Sequence, residues 1–125
     1  MADRYCIAVD WLEVCCYGRD LEPSFFSWDG KHFSVEQEDR ETPLFKSFFV
    51  VKRNGLEWAQ IRQNPKGGIM KKGLTLIKLA NRTLYHEKYV PFLMNMIQAL
   101  GLYYKGLTRL DIAYDCNTFY CGRKP

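Results

Sequence analysis

LTRLDIAYDC, residues 107–116, alternates side chains with the two-residue period of a pleated strand. One parity holds Leu110, Ile112, Tyr114 and Cys116, and the other holds Arg109, Asp111, Ala113 and Asp115. Just upstream, YVPFLMNMIQALG (89–101) has a different period. Phe92, Leu93, Met96, Ile97 and Leu100 fall at three- and four-residue spacings and make one apolar stripe. Pro91 suits the first helical turn and Gly101 the position just past the last. A helix over about 88–101, laid on the apolar side of the following strand, would leave Arg109, Asp111 and Asp115 on a free sheet face.

Working outward, the remaining segments read mainly as strands. RYCIAVDWLEVCCY (4–17) is β-branched and aromatic, with apolar residues on both parities, as in a strand inside a sheet. FFSWDGKHFSVEQ turns at Asp29-Gly30, and KSFFVVKRNGLEWAQIRQN turns at Asn54-Gly55, both strong hairpin signals. In the second hairpin Trp58 and Arg62 share one parity. NPKGGIMKKG (64–73) is a glycine- and lysine-rich connection without the Gly-Lys-Ser/Thr ending of a nucleotide-binding loop. LTLIKLANRTLY (74–85) returns to strand character, and GLYYKG (101–106) reads as a turn. The expected architecture is therefore α+β: an antiparallel sheet of five to six strands with one main helix on one face, and residues 1–125 forming a single domain.

Composition narrows the function classes. Apolar residues make up 47% and charged residues 26% of the 125 residues, a globular balance. No apolar run is long enough to cross a bilayer, and the first ten residues lack a secretion signal, which points to the cytoplasm. Five cysteines, without a Cys-x-x-Cys pair, read as reduced thiols rather than zinc ligands. His32 and His86 are isolated and read as surface histidines, and no hydrolase elbow is present.

The net charge of +4 is unevenly placed. Residues 20–41 carry seven acids against Lys31 and Arg40, whereas residues 46–88 carry ten bases against Glu57 and Glu87. A basic stretch interleaved with aromatics is the footprint of a phosphate-binding surface. Lys52, Arg53, Arg62, Lys71, Lys72, Lys78 and Arg82 are its contact candidates, with Trp58 as a stacking platform and Arg109 as a contact from the last strand. Solvated strands with basic outer positions are the plainer alternative.

Asp111 and Asp115 are candidates for a divalent metal. Four residues apart on a strand, they lie about 13 Å apart, too far for one ion without a bend. Asp111 paired across the sheet with Asp10 or Glu13 would make a better oxygen cradle for Mg²⁺ or Mn²⁺. An ordinary ion pair between Arg109 and Asp111 is the competing reading.

VDWLEV (9–14), ANRTLY (80–85) leading into a helix that ends ALGLYYKG, and LTRLDIAYDCN (107–117) together resemble plasmid and phage rolling-circle replication initiators of the Bacteroides type. The resemblance implies a protein that binds a replication origin and nicks one DNA strand through a tyrosine with a divalent metal. It implies roles for Asp111 and Asp115 in the metal region, and for Arg109 in contacting DNA or orienting a carboxylate. It further implies a longer chain whose nucleophilic tyrosine lies downstream, so this sequence reads as the N-terminal portion, or as a naturally shortened relative, without the nucleophile, and its catalytic residues are not identified. Two other classes stay open. One is a non-catalytic single-strand nucleic-acid binder with exposed aromatics on its sheet. The other is a homodimerisation module whose acidic segment meets its own basic half.

Overall fold

The computed structural model describes residues 5–40, 42–67 and 72–116. In chain order these form β1 (Tyr5–Gly18), β2 (Ser24–Trp28), β3 (Lys31–Glu38), β4 (Phe45–Arg53), β5 (Leu56–Pro65), β6 (Leu74–Leu79), α1 (Asn81–Leu84), α2 (Tyr89–Ala99) and β7 (Leu102–Cys116). All seven strands join one antiparallel sheet in the order β2-β3-β4-β5-β6-β1-β7, curled into a half-barrel. The fold is thus α+β, with seven strands rather than five to six and two helices rather than one.

The two hairpin turns form where Asp-Gly and Asn-Gly stand. Asp29 and Gly30 adopt φ of 53° and 71°, and Asn54 and Gly55 adopt 53° and 76°. Positive φ at both central residues is the turn whose twist matches that of the flanking strands. Two boundaries depart from expectation. Strand β6 stops at Leu79, and ANRTLY instead folds into α1, because Ala80 N–H (3.0 Å) and the Thr83 hydroxyl (2.7 Å) both donate to Trp58 O. GLYYKG is a turn only at Gly101, and β7 is already paired from Leu102. Helix α2 ends where Gly101, at φ 71°, donates its N–H to Gln98 O.

One side of the sheet carries the helices and the main core. Leu12, Val14 and Cys16 of β1 join Phe33, Phe49, Val51, Ile61, Ile77 and Leu79 beneath Phe92, Leu93, Met96 and Ile97 of α2. Each buried aliphatic or aromatic side chain stabilises the fold by roughly 1.5–3 kcal/mol relative to exposure. Gln63 sits among them, almost wholly buried. Its carbonyl accepts from Leu21 N–H (2.8 Å), and its amide donates to Arg19 O (2.8 Å) and Thr75 Oγ1 (2.9 Å). On β4, Phe48 and Val50 are buried on the opposite side from Phe49 and Val51, and the Arg40 guanidinium covers Phe48 at 4.3 Å from the ring centroid.

Trp58 is not a surface platform. Val51 pairs with Ala59 and Lys52 with Glu57, so Trp58 is the extra residue of a β-bulge. The bulge breaks the alternation that would place it beside Arg62 and turns its ring into the core. There it packs against Phe33 (5.0 Å), Phe92 (5.2 Å) and His86 (6.0 Å). His86, expected at the surface, is accordingly half-buried against Trp28 and Trp58.

No described helix is long and apolar enough to cross a membrane. Cys16 lies buried and Cys15 half-buried, and burial raises both thiols, Cys16 to about 11. Neither has the lowered pKa of a nucleophilic cysteine.

Candidate nucleic-acid interface

The helix-free side of the sheet gathers three of the sequence candidates. Register places Lys78 of β6 and Arg109 of β7 on either side of Glu13 of β1, with Gln60 of β5 next in the row. Directly opposed residues share a face, so this row lies on the side opposite Leu12 and Val14. Arg62, one strand further from β1 than Lys78, reaches Glu13 with its Nη2 donating to Oε2 at 2.7 Å.

Trp11 lies between two of these cations. The Lys78 Nζ stands 3.6 Å and the Arg109 Cζ 3.9 Å from its ring centroid, and its Nε1–H donates to Glu13 Oε1 at 3.3 Å. Both cation–π distances fall well inside the favourable range. Glu13, only 8% exposed, is the counter-charge at the centre, while its backbone carbonyl accepts from the Thr108 hydroxyl at 2.9 Å. Thr108 is the extra residue where β7 bulges against β1. The result is a small platform of three cations, two carboxylates and one indole, with Lys78 and Arg109 two strand spacings, about 10 Å, apart at the backbone.

Arg109 points to the free face as its parity indicates, and it holds Asp111: Nη2 donates to Oδ2 at 2.8 Å, and Nε to Oδ1 at 3.4 Å. That bond raises the Arg109 pKa above its already high ordinary value. Leu110 takes the helix side, opposite Leu12, yet it is 42% exposed because β7 is the outermost strand. The side chains of Ile112, Tyr114, Asp115 and Cys116 lie outside the described residues, as does that of Asp10.

The other basic candidates do not join this platform. Lys52 is paired with Glu36 (3.6 Å) and Glu38 (3.9 Å) on β3. Asp29 pairs with Lys31 and Glu38 with Arg40, so much of the acidic segment is neutralised by its own neighbours. Arg53 ends β4 at the hairpin, half-buried, and Arg82 stands exposed on α1, on the helix side. Lys72 lines an open hollow of about 570 Å³ with Lys46, Ser47 and Asn64, and Lys71 lies outside the described residues.

The described members of the expected metal cradle, Asp111 and Glu13, are both engaged by cations, while the side chains of Asp10 and Asp115 lie outside the described residues. The Asp111 carboxylate is taken by Arg109, Glu13 is taken by Arg62 and Trp11, and three cations surround both. Among the described residues, no group of three or more His, Cys, Asp or Glu side chains is placed to hold a metal.

Trp11 is the residue that sequence reasoning missed, and Glu13 entered it only as a metal partner. Both lie some thirty-five residues before the start of the basic stretch. The usable signal was parity within WLEV: Trp11 and Glu13 alternate with Leu12 and Val14, a polar-faced pair inside an otherwise apolar strand. Comparison with protein-family models, curated proteins and solved structures finds no match.

Proposed function

We propose that this chain is the DNA-binding domain of a rolling-circle replication initiator, working in the cytoplasm, and that it holds DNA on the helix-free side of its sheet. The observation that carries the reading is the convergence of Arg62, Lys78 and Arg109 from three strands around Trp11 and Glu13. In this role the two guanidinium groups and the ammonium replace counterions on backbone phosphates. Glu13 and Asp111 hold the two guanidinium groups in position, so that little side-chain freedom is lost on binding. A phosphate arriving at Arg109 competes with Asp111 for the same donors. On this reading, strand nicking by a tyrosine belongs to the longer protein, and Mg²⁺ or Mn²⁺ would be held there with donors beyond the Arg109–Asp111 pair.

A non-catalytic single-strand binder is the second reading, favoured by the presence of an indole among the cations, since base–aromatic stacking and backbone charge together define such sites. One experiment serves both. Fluorescence anisotropy across a salt series should give log Kd rising with log salt at a slope of about 2 to 3, the value for three neutralised phosphates. Replacing Arg62, Lys78 and Arg109 together by alanine should abolish most of that slope. A flat series, or an unchanged slope in the triple variant, would refute DNA binding at this face. Quenching of Trp11 emission by single-stranded but not duplex DNA selects the second reading.

A further inference from the structure

The two edges of the sheet are built differently. β2 is five residues long, follows Pro23, and has its Ser27 carbonyl taken by the Asn95 amide of α2 at 3.1 Å. A short, covered strand is the usual protection of a sheet edge. β7 has fifteen residues, and among the described residues no helix side chain is hydrogen-bonded to its backbone as Asn95 is to β2. On its helix side Leu107 is 50% and Leu110 42% exposed. Val90 and Met94, also exposed, lie on the flank of α2 away from Asn95, and so away from β2. A long open edge beside an apolar ledge is a template for another strand.

We propose that β7 is the pairing edge of a homodimer, in which a second copy of this chain adds its own β7 antiparallel about a two-fold axis at Leu110. The charges on the strand select both the occupant and the register. With Leu110 opposite the partner's Leu110, Arg109 falls opposite the partner's Asp111, and Asp111 opposite the partner's Arg109. Both pairs lie on the helix-free face, where the two side chains already stand. Centring the axis on Arg109 would oppose two guanidinium groups, and centring it on Asp111 would oppose two carboxylates, each destabilising. From Arg109 to Cys116 β7 has no extra residue, so the central stretch from Arg109 to Asp111 is regular in both copies, and the bulge at Thr108 falls just outside it, opposite the partner's Ile112. The arrangement is isologous and closes on itself. It goes beyond DNA binding and does not depend on it, although it would set the two Trp11 platforms side by side on one continuous sheet.

The test is sedimentation of the full chain without DNA, at concentrations up to about 100 μM, a range that detects even modest self-association. The wild type should be a dimer. Arg109→Glu and Asp111→Lys should each weaken it at least about tenfold, because two attractive cross-strand pairs become repulsive. An equimolar mixture of the two variants should restore the dimer, since each then supplies the charge the other lacks. Leu110→Lys, at an exposed position, should give a monomer by opposing two ammonium groups across the axis, with circular dichroism confirming the fold of every variant. A wild type monomeric throughout, single variants that stay dimeric, or a mixture that stays monomeric would each overturn the proposal.

Discussion

Glu13 has two consequences of opposite sign. It is a nearly buried carboxylate whose two oxygens accept from Arg62 and Trp11, and it lies between Lys78 and Arg109 in register. Removing its charge leaves three cations around an unmatched centre, which costs about 1–2 kcal/mol of stability. The same change removes one negative charge from a surface that attracts phosphate. Glu13→Gln should therefore lower the urea midpoint while tightening DNA binding several-fold at low salt. A variant that lost stability and affinity together would show that Glu13 only shapes the platform. Parity within single strands was readable at this scale, and it placed Arg109 and Asp111 on the free face. What parity could not supply was the neighbour across the ladder, and hence the Trp11–Lys78–Arg109 stack.

At the scale of elements, the bulge at Trp58 joins the second hairpin to the helices. Its ring enters the aromatic cluster of Phe33 and Phe92, while its carbonyl takes both the Ala80 N–H and the Thr83 hydroxyl. Trp58→Ala should cost roughly 3 kcal/mol, within the range for truncating a large core aromatic, measured by denaturant unfolding. DNA affinity, measured where the variant remains folded, should stay within about twofold, since the ring lies on the other side of the sheet from Arg62 and Lys78. The Asp-Gly and Asn-Gly turns were legible because the backbone demands those residues locally. The bulge was not legible, because one extra residue in a ladder leaves no mark on composition. Nor was α1, whose four residues are held by a carbonyl more than twenty positions earlier.

Across the whole molecule, β1 is inserted between β6 and β7, so the first strand pairs only with the last two. Those contacts close loops of some sixty to a hundred residues, and the sheet that carries the platform is incomplete without them. High contact order of this kind places refolding in the millisecond-to-second range. Stopped-flow refolding with a microsecond main phase would contradict the long-range pairing. The strand order also explains why the exposure of β7 was unreadable. LTRLDIAYDC has the alternation of a half-covered strand, and only its position as the seventh and outermost leaves Leu110 open to solvent.

The buried amide of Gln63 has a further effect on how faithfully the sheet assembles. Phe48, Phe49, Val50 and Val51 are all buried, so β4 would present an oily residue inward whichever way it slid, and hydrophobicity alone leaves its alignment undetermined. Its neighbour β5 cannot slide so freely. A shift by one position would carry Gln63 out to water and bring Arg62 or Asn64 to a pocket shaped for one acceptor and two donors, deserting Leu21, Arg19 and Thr75 together. A single polar side chain thereby acts as the key that admits one alignment of an otherwise permissive pair of strands.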